Sequence, residues 1–212
     1  MSTTLSRFAT LVAGAGIAGQ AAADPGKYNG YEAPPYSVER QLDGAEIRAY
    51  APYIVAEVTV RGPSGSALNQ GFRMLAGYIF GGNQGQAKVA MTTPVTQTAA
   101  PEKIDMTVPV TQTGGDGVWT VTFMMPRQYT LDTLPKPNND AIRFVQIPAE
   151  RQVVLGFSGW ATAGRVARKT AALDAIVARE GLDVTGPVRT YYYDAPFTLP
   201  WKRRNEVAYL LK

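Results

Sequence analysis

The sequence predicts an α+β fold in which two helices pack against one curved antiparallel sheet. Three observations lead to this prediction. Two segments of alternating apolar residues, beginning at Lys88 and Lys103, are identical at 8 of 11 positions and indicate neighbouring strands. Residues 66–80 and 163–180 each carry an apolar stripe with a helical period. The order of strands, helix and strands occurs twice, which favours one architecture used twice.

The first half of the chain begins with a predicted hairpin. Asp43-Gly44 is a strong two-residue turn signal between two segments of alternating residues. The first helix is expected to end at Gly81-Gly82, because glycine commonly terminates helices. The elements predicted in this half are strands at residues 36–42, 46–50, 53–60 and 118–125, with the helix at 66–80.

The duplicated motif is predicted to form a second hairpin, since the short polar link at residues 99–102 can turn the chain back. Met91 and Met106 lie on the apolar faces of the two strands and are expected to fill the core. Pro94 and Pro109 have no N–H for a ladder, so each is expected at a strand end, a bulge or a free edge. The pair is interpreted either as a bulged hairpin alone or as an open, methionine-lined lip that admits a flat apolar ligand.

The second half repeats the order of elements without repeating the sequence. Its helix places Val166, Leu173 and Val177 on one side and is expected to end at Gly181. A loop rich in proline and aromatic residues, 195–201, precedes the last strand. The strands predicted in this half are residues 142–147, 152–157, 188–194 and 206–211, with the helix at 163–180.

The composition excludes several classes of catalytic and metal site. The 212 residues contain no histidine and no cysteine. Ser-His-Asp triads, Cys-His pairs, thiolate zinc sites and HExxH helices are therefore impossible, and so are disulfides. The formal net charge of +4 is spread without long like-charge blocks, which is too mild to indicate nucleic-acid binding. The densest basic cluster, Lys202-Arg203-Arg204, is interpreted either as a solvated turn or as a corner that holds a carboxylate.

Residues 1–23 are predicted to be a secretory signal peptide. A single basic residue, Arg7, precedes an apolar run, and Ala21-Ala22-Ala23 provides an A-x-A cleavage site. The apolar run is too short to span a bilayer, and an uncleaved N-terminal anchor is the alternative. Residues 24–35 are predicted to form an extended lead-in and residues 36–212 a single domain, located in the periplasm or secreted. No integral membrane segment is expected after cleavage.

Several short motifs, spread over nearly all of the chain after the predicted signal peptide, resemble the SOUL haem-binding protein family. The resemblance implies a distorted eight-stranded antiparallel barrel-like sheet with two flanking helices, built as a pseudo-twofold repeat. The same fold is similar to that of bacterial drug-binding effector domains. The motifs are Gly71-Phe72-Arg73-x-Leu75-Ala76-x-Tyr78-Ile79-Phe80-Gly81, Lys88-Val-Ala-Met-Thr-Thr-Pro-Val95, Phe123-x-Met125-Pro126, Tyr193-Asp-Ala-Pro196 and Arg203-Arg-Asn-Glu-Val207.

The resemblance also implies that haem or a related tetrapyrrole binds in a hydrophobic groove beside the first helix and the loop before the last strand. Histidine ligation is impossible here, so tyrosine, methionine or lysine would be the donors if the protein ligates the iron at all. For Met74 and Tyr78 the alternative to ligand contact is ordinary packing in the core. For Arg73 the alternative is exposure to solvent. The candidate binding residues are Asn69, Arg73, Met74, Tyr78, Tyr193, Phe197, Trp201 and Lys202.

Three functions are compatible with this reading. The first is non-catalytic binding of haem or another tetrapyrrole for buffering, transport or scavenging outside the cytoplasm. The second is a receptor for other apolar or cationic small molecules, as in the drug-binding relatives of the fold. The third is an enzyme acting on a tetrapyrrole or lipid-like substrate, and it has the least support because no close carboxylate pair or activated nucleophile stands out. The sequence does not identify protein partners.

Overall fold

The computed structural model describes residues 26–99, 117–195 and 197–212. These residues form strands, two α-helices and one short 3-10 helix. The strands are β1 (Lys27–Tyr28), β2 (Tyr31–Glu32), β3 (Tyr36–Leu42), β4 (Ala45–Tyr50), β5 (Tyr53–Arg61), β6 (Val95–Ala99), β7 (Val118–Met124), β8 (Arg143–Ile147), β9 (Glu150–Phe157), β10 (Val184–Tyr192) and β11 (Asn205–Leu211). The helices are α1 (Ser64–Ile79), α2 (Ala163–Arg179) and the 3-10 turn Pro200–Lys202.

Nine of the strands form one antiparallel sheet in the order β3-β4-β9-β11-β10-β6-β7-β5-β8. Apart from β3, the order is symmetric about the seam between β10 and β6. The unit β4-β5-α1-β6-β7 and the unit β8-β9-α2-β10-β11 each lend their first strand to the other, because β4 pairs with β9 and β8 pairs with β5. The repeated order of elements in the sequence therefore corresponds to a repeated arrangement in space.

The sheet differs from the eight-stranded barrel-like sheet that was expected. The hairpin turned by Asp43-Gly44 adds β3 outside β4, so that the sheet has nine strands. β3 and β8 occupy its two edges, and no pairing joins them in the described part of the chain. The sheet is therefore open rather than a closed barrel.

Both helices lie on the same face of this sheet. Residues paired across a ladder share a face, and one such row runs from Phe123 through Val95, Tyr192 and Asn205 to Phe157. The helix α1 packs on this face over β5 and β7, and α2 packs over β9, β11 and the first part of β10. Each helix covers its own hydrophobic cluster, which leaves a gap between the helices at the central seam.

Close packing fixes the position of α1. Its buried residues recur at helical spacing, and Leu75 and Ile79 are almost completely buried against β5 and β7. Gly71 faces Val121 of β7 so closely that a Cβ atom at this position would lie 2.6 Å from the Val121 Cβ. The helix backbone can approach the sheet only because this residue has no side chain.

The helix α2 begins with a side-chain cap. The Thr162 hydroxyl accepts a hydrogen bond from the Arg165 N–H at 3.3 Å. Leu173 and Ile176 bury the apolar stripe against β9 and β11, as the predicted helical period requires. No helix in the described residues is long and apolar enough to cross a bilayer.

The duplicated motif behaves only in part as predicted. In its first copy the strand begins after Pro94, which confirms the expectation of a proline at a strand end. Met91 is 42% exposed rather than buried in the core, because no strand imposes a period of two before Val95. The second copy at residues 103–113, including Met106 and Pro109, lies outside the described residues. The hairpin between the two copies therefore stays a prediction.

The described part of the predicted lead-in, residues 26–35, contains β1 and β2 and contacts the main sheet and its loops. β1 and β2 pair as a short ribbon, and the Tyr28 hydroxyl donates to the Asp194 carboxylate at 3.1 Å. Glu32 accepts a hydrogen bond from the Arg127 backbone N–H at 2.9 Å. These contacts explain why the ribbon keeps a fixed position without a regular sequence period.

Candidate functional site

An open cleft of about 410 Å³ lies where the two units of the sheet meet. The first turns of α1 form one wall, and residues 160–162, directly before α2, form the other. This volume falls within the range of about 300–1,000 Å³ that is typical of small-molecule sites. The apolar and aromatic residues that line the cleft are Leu68, Phe72, Val95, Trp160, Ala161 and Tyr192.

Two other depressions are comparable in size but different in character. One of about 430 Å³ lies around Tyr53 and Tyr129, and one of about 540 Å³ lies around Pro148 and Leu211. The cleft is distinguished by three aromatic side chains contributed by α1, by β10 and by the segment before α2. Convergence of several elements on one apolar concavity is typical of ligand sites, so we take the cleft as the candidate site.

A buried glutamine holds the floor and the first wall of the cleft together. Gln97 of β6 donates a hydrogen bond from Nε2 to the Ser64 carbonyl oxygen, at the start of α1, at 2.8 Å. Its Oε1 accepts a hydrogen bond from the Tyr192 hydroxyl at 3.2 Å. Burial raises the pKa of Tyr192 to about 12, so this hydroxyl is neutral at ordinary pH. These two hydrogen bonds fix the Tyr192 side chain of the floor relative to the start of α1.

One end of the cleft carries charge. The Arg203 guanidinium carbon lies 3.9 Å from the centroid of the Trp160 ring, and its Nε–H donates to the Thr198 carbonyl oxygen at 2.8 Å. Asp194 accepts hydrogen bonds from the Arg204 backbone N–H and from the Tyr28 hydroxyl. A guanidinium stacked flat on an aromatic ring matches a planar carboxylate in its geometry. The Asp194 carboxylate is an acceptor for hydrogen bonds within the protein.

The donor set of the cleft fits a macrocycle held without an axial ligand. The chain has no histidine, and neither methionine nor lysine lines the cleft in the described residues. Tyr192 is protonated and hydrogen-bonded to Gln97, and Asp194 is hydrogen-bonded on both oxygens. The cleft therefore offers flat apolar contacts and the guanidinium of Arg203 rather than a ready iron ligand.

The predicted binding residues of α1 divide between the cleft and the core. Asn69 lines the cleft. Arg73 is exposed one turn further on, and its Nε–H donates to the Asn69 carbonyl oxygen at 3.3 Å. Met74 packs on the hydrophobic cluster beneath α1. Tyr78 is 1% exposed, with its hydroxyl donating to the Pro135 carbonyl oxygen and its ring edge against Phe144, so it is a core residue rather than a groove residue.

The predicted binding residues of the second wall lie outside the cleft. Tyr193 points to the sheet face opposite the helices, where its hydroxyl donates to Glu206 Oε2 at 2.8 Å. Phe197, Trp201 and Lys202 are exposed in the loop between β10 and β11. Contact between these three residues and a ligand stays a prediction.

Four of the residues that line the cleft were missed by sequence reasoning. Leu68 and Phe72 belong to the predicted apolar stripe of the first helix, close in sequence to the predicted site residue Asn69, and could have been found from it. Tyr192 lies among three consecutive tyrosines, and only the register with Val95 selects it for the helix face. Trp160 has no sequence signal, because it is positioned by the hydrogen bond from the Gly159 N–H to the Pro200 carbonyl oxygen at 2.9 Å.

A buried charged network occupies the opposite face of the sheet. Arg48 Nη1 lies 3.0 Å from both carboxylate oxygens of Glu206, and Arg204 Nη2 lies 2.7 Å from Glu206 Oε1. Burial is the largest single influence and alone would lower the pKa of Arg48, but the Glu206 carboxylate together with Tyr50 and Tyr36 outweighs it and raises that pKa above its ordinary value. No buried side-chain polar atom among the described residues lacks a hydrogen-bond partner. The network is therefore complete in itself and presents no unpaired group to a ligand.

Sequence comparison with known proteins assigns this chain to a family. A model of the SOUL heme-binding protein family matches residues 31–210, and the chain belongs to this family. This confirms the resemblance drawn from the short motifs. Heme-binding protein 2 of Homo sapiens is 29% identical over 197 residues, which cover 91% of this chain and 89% of that protein.

Solved structures share the fold at low sequence identity. The EcmrR C-terminal domain superposes with a TM-score of 0.56 and 15% identity, covering 84% of this chain and 98% of that one. A hydrolase from Listeria innocua superposes with a TM-score of 0.52 and 12% identity, covering 79% of this chain and 91% of that one. These likenesses show the fold alone: an antiparallel sheet with two helices.

Proposed function

We propose that this protein binds haem or another tetrapyrrole, without catalysis, in the cleft between α1 and residues 160–162. The observation that carries the proposal is the aromatic lining of both walls and the floor, by Phe72, Trp160 and Tyr192, with Arg203 at one end. Membership of the SOUL heme-binding protein family supports a tetrapyrrole as the ligand. The protein would serve in buffering, transport or scavenging of this ligand.

Apolar contact supplies most of the binding free energy in this proposal. Burial of a flat macrocycle contributes at roughly 25 cal/mol for each Å² of apolar surface removed from water, and stacking on aromatic rings adds to this. Part of the gain is offset by the loss of translational and rotational freedom. We therefore expect weak to moderate affinity that does not require an iron–protein bond.

The polar residues of the cleft orient the ligand. The Arg203 guanidinium, stacked on Trp160 and hydrogen-bonded to Thr198, would use further N–H groups of its fork to bind a propionate group at the charged end. Tyr192 would present its ring face while its hydroxyl stays bonded to Gln97. The protein's own contribution is thus binding and orientation, and any redox or ligand chemistry belongs to the tetrapyrrole itself.

Titration of the purified protein with haemin and with iron-free protoporphyrin tests this proposal. Equal affinity for the two compounds is expected, because the cleft offers no ready iron ligand. Trp160→Ala should weaken both affinities about tenfold, the effect of losing one stacked aromatic side chain. Trp201→Ala tests whether the ligand contacts the neighbouring loop instead of the cleft. The control is Phe80→Ala, which truncates an aromatic residue that is 63% exposed at the end of α1.

Each outcome of this titration is informative. Loss of affinity in Trp160→Ala alone supports the cleft. Loss in Trp201→Ala with Trp160→Ala unaffected would move the site to the loop. Absence of saturable binding of either compound would refute the proposed function.

The alternative functions have weaker support in this cleft. A cationic ligand would meet Arg203, and the one carboxylate among the described lining residues, Asp194, is already hydrogen-bonded. A hydrolase is known among the structural neighbours, but at 12% identity it shares the fold alone. Asp194 has no partner arranged as a nucleophile or base pair within the described lining residues, so we favour a binding protein over an enzyme.

Export is part of the proposal. The predicted signal peptide at residues 1–23 supports a location in the periplasm or outside the cell. The intact mass of protein recovered from those compartments should correspond to a chain starting at Asp24. A chain that starts at Met1 would contradict export with cleavage.

A further inference from the structure

The loop between β10 and β11 exposes large apolar side chains beside the mouth of the cleft. Phe197 is 89% exposed, Trp201 is 70% exposed and Leu199 is 48% exposed. Trp160, which is 51% exposed, belongs to the adjoining segment that is hydrogen-bonded to this loop through Gly159. We call these four residues the apolar patch. Clustered exposed apolar side chains of this size mark an interaction site.

The backbone that carries the apolar patch is held in place. The Lys202 and Arg203 N–H groups donate to the Leu199 and Pro200 carbonyl oxygens, at 2.9 and 3.1 Å. The Thr198 carbonyl oxygen accepts the Arg203 Nε–H at 2.8 Å. The side chains are thus presented to solvent from an ordered turn, so that little conformational freedom is lost when they are covered.

Basic side chains adjoin the apolar patch. Lys202 is exposed between Trp201 and Arg203. The Arg165 guanidinium lies against Gly159, where a Cβ atom would be 2.6 Å from its Nη1. The first turn of α2 contains no acidic residue. The nearest carboxylate along the loop, Asp194, is engaged by the Arg204 N–H and the Tyr28 hydroxyl.

We propose that the apolar patch docks on the surface of an anionic phospholipid bilayer. Tryptophan favours the headgroup level of a membrane, where its ring is apolar and its N–H remains hydrated. Phe197 and Leu199 reach the acyl boundary, while Lys202 and Arg165 contact lipid phosphates, whose negative charge complements the patch. An exposed turn of this kind can insert into the fluid headgroup region of a bilayer without a matched surface, whereas a protein partner would need a pocket that fits the turn.

The position of the apolar patch has a consequence for the cleft. Trp160 belongs to both, and Arg203 lies between them. Docking therefore brings the mouth of the cleft to the membrane surface, where apolar tetrapyrroles accumulate. This consequence rests on the proposed function, but the docking itself does not.

Co-sedimentation with vesicles tests the proposal on the full chain. Vesicles of equal parts phosphatidylcholine and phosphatidylglycerol should bind the protein at least tenfold more tightly than vesicles of phosphatidylcholine alone. The double variant Phe197→Ser, Trp201→Ser should bind the anionic vesicles at least tenfold more weakly than the unmodified chain. The matched double variant Phe80→Ser, Leu131→Ser, which removes apolar side chains 63% and 47% exposed elsewhere, should keep its affinity.

Equal binding by the two double variants would overturn the proposal, and so would failure of the unmodified chain to bind anionic vesicles. The apolar run of residues 8–18 is common to all these proteins, so it cannot produce a difference between them. A third outcome is that the unmodified chain does not bind vesicles but self-associates, and that Phe197→Ser, Trp201→Ser abolishes this self-association. The partner would then be a second copy of the chain and not a membrane.

A second measurement reports on the loop directly. With Trp119→Phe and Trp160→Phe, Trp201 is the only tryptophan left in the chain. Its emission should shift to the blue and its quenching by acrylamide should fall when anionic vesicles are added. Co-sedimentation without such changes would assign the contact to another surface and overturn the proposal. Haemin titration of the unmodified chain without vesicles measures the binding function separately, so that failure of the binding function and failure of docking are told apart.

Discussion

Tyr192 of β10 lies directly opposite Val95 of β6, at the central seam of the sheet, where β10 of one unit pairs with β6 of the other. Both side chains share the face on which α1 and α2 pack, and both line the cleft. The cleft is thus a consequence of the repeated architecture. α1 covers β5 and β7, α2 covers β9, β11 and the first part of β10, and the part of the seam around Val95 and Tyr192 is left open to a ligand.

The hydroxyl of Tyr192 provides a test of binding without iron ligation. We expect Tyr192→Phe to bind haemin with unchanged affinity, because the ring that forms the floor is kept and the neutral hydroxyl is bonded to Gln97. Absorbance titration with haemin measures this affinity. A tenfold loss that is confined to haemin, with protoporphyrin binding intact, would show that the phenol ligates iron.

Two glycines of α1 should respond in opposite directions to the same substitution. Gly71→Ala places a Cβ atom 2.6 Å from the Val121 Cβ, and overpacking of this kind destabilises the fold by about 1–3 kcal/mol. Gly77→Ala meets no atom within 4 Å and should stabilise the fold by about 0.5–1 kcal/mol through helix propensity. Urea denaturation gives both free energies of unfolding. Equal effects of the two substitutions would contradict the close approach of α1 to β7.

The Glu206 carboxylate should be essential for folding. Glu206→Gln removes the carboxylate that buried Arg48 and half-buried Arg204 share, and among the described residues Arg48 keeps only the partly exposed Glu46 as an anionic partner. We expect a loss of about 3–5 kcal/mol in the free energy of unfolding. Glu39→Gln, which breaks the exposed pair with Arg151, is the matched control and should have little effect. Urea denaturation measures the free energy of unfolding of both variants. Similar midpoints for the two would argue against a buried network.

Buried tyrosines predict a loss of stability at alkaline pH. Burial raises the pKa of Tyr78, Tyr192 and Tyr209 from 10.0 to about 12. Between these values the unfolded chain has released protons that the native state still holds, so the free energy of unfolding falls as the pH rises from about 10 through about 12. Below pH 10 this contribution is fully present. Urea midpoints measured across this window should fall, and the fall should be smaller in Tyr192→Phe; a flat profile would contradict burial of these hydroxyls.

Local signals were enough to predict most of the elements. The turn at Asp43-Gly44, the apolar stripe around Leu75 and the glycine at position 181 each act through neighbours in the chain, and the structure confirms the hairpin and both helices. The edge position of β3 was not predicted, because it depends on which strand ends the sheet rather than on the strand itself.

The sequence alone determined the α+β class, the doubled order of elements, the family and the exclusion of histidine and cysteine chemistry, since each of these depends on residue type or on short-range periodicity. The tertiary structure decided which side chains meet. Strand register placed Tyr192 in the cleft and Tyr193 beside Glu206, and one backbone hydrogen bond brought Trp160 to the second wall. Such contacts join residues distant in the chain, and a shift of one residue in register would send each side chain to the other face of the sheet.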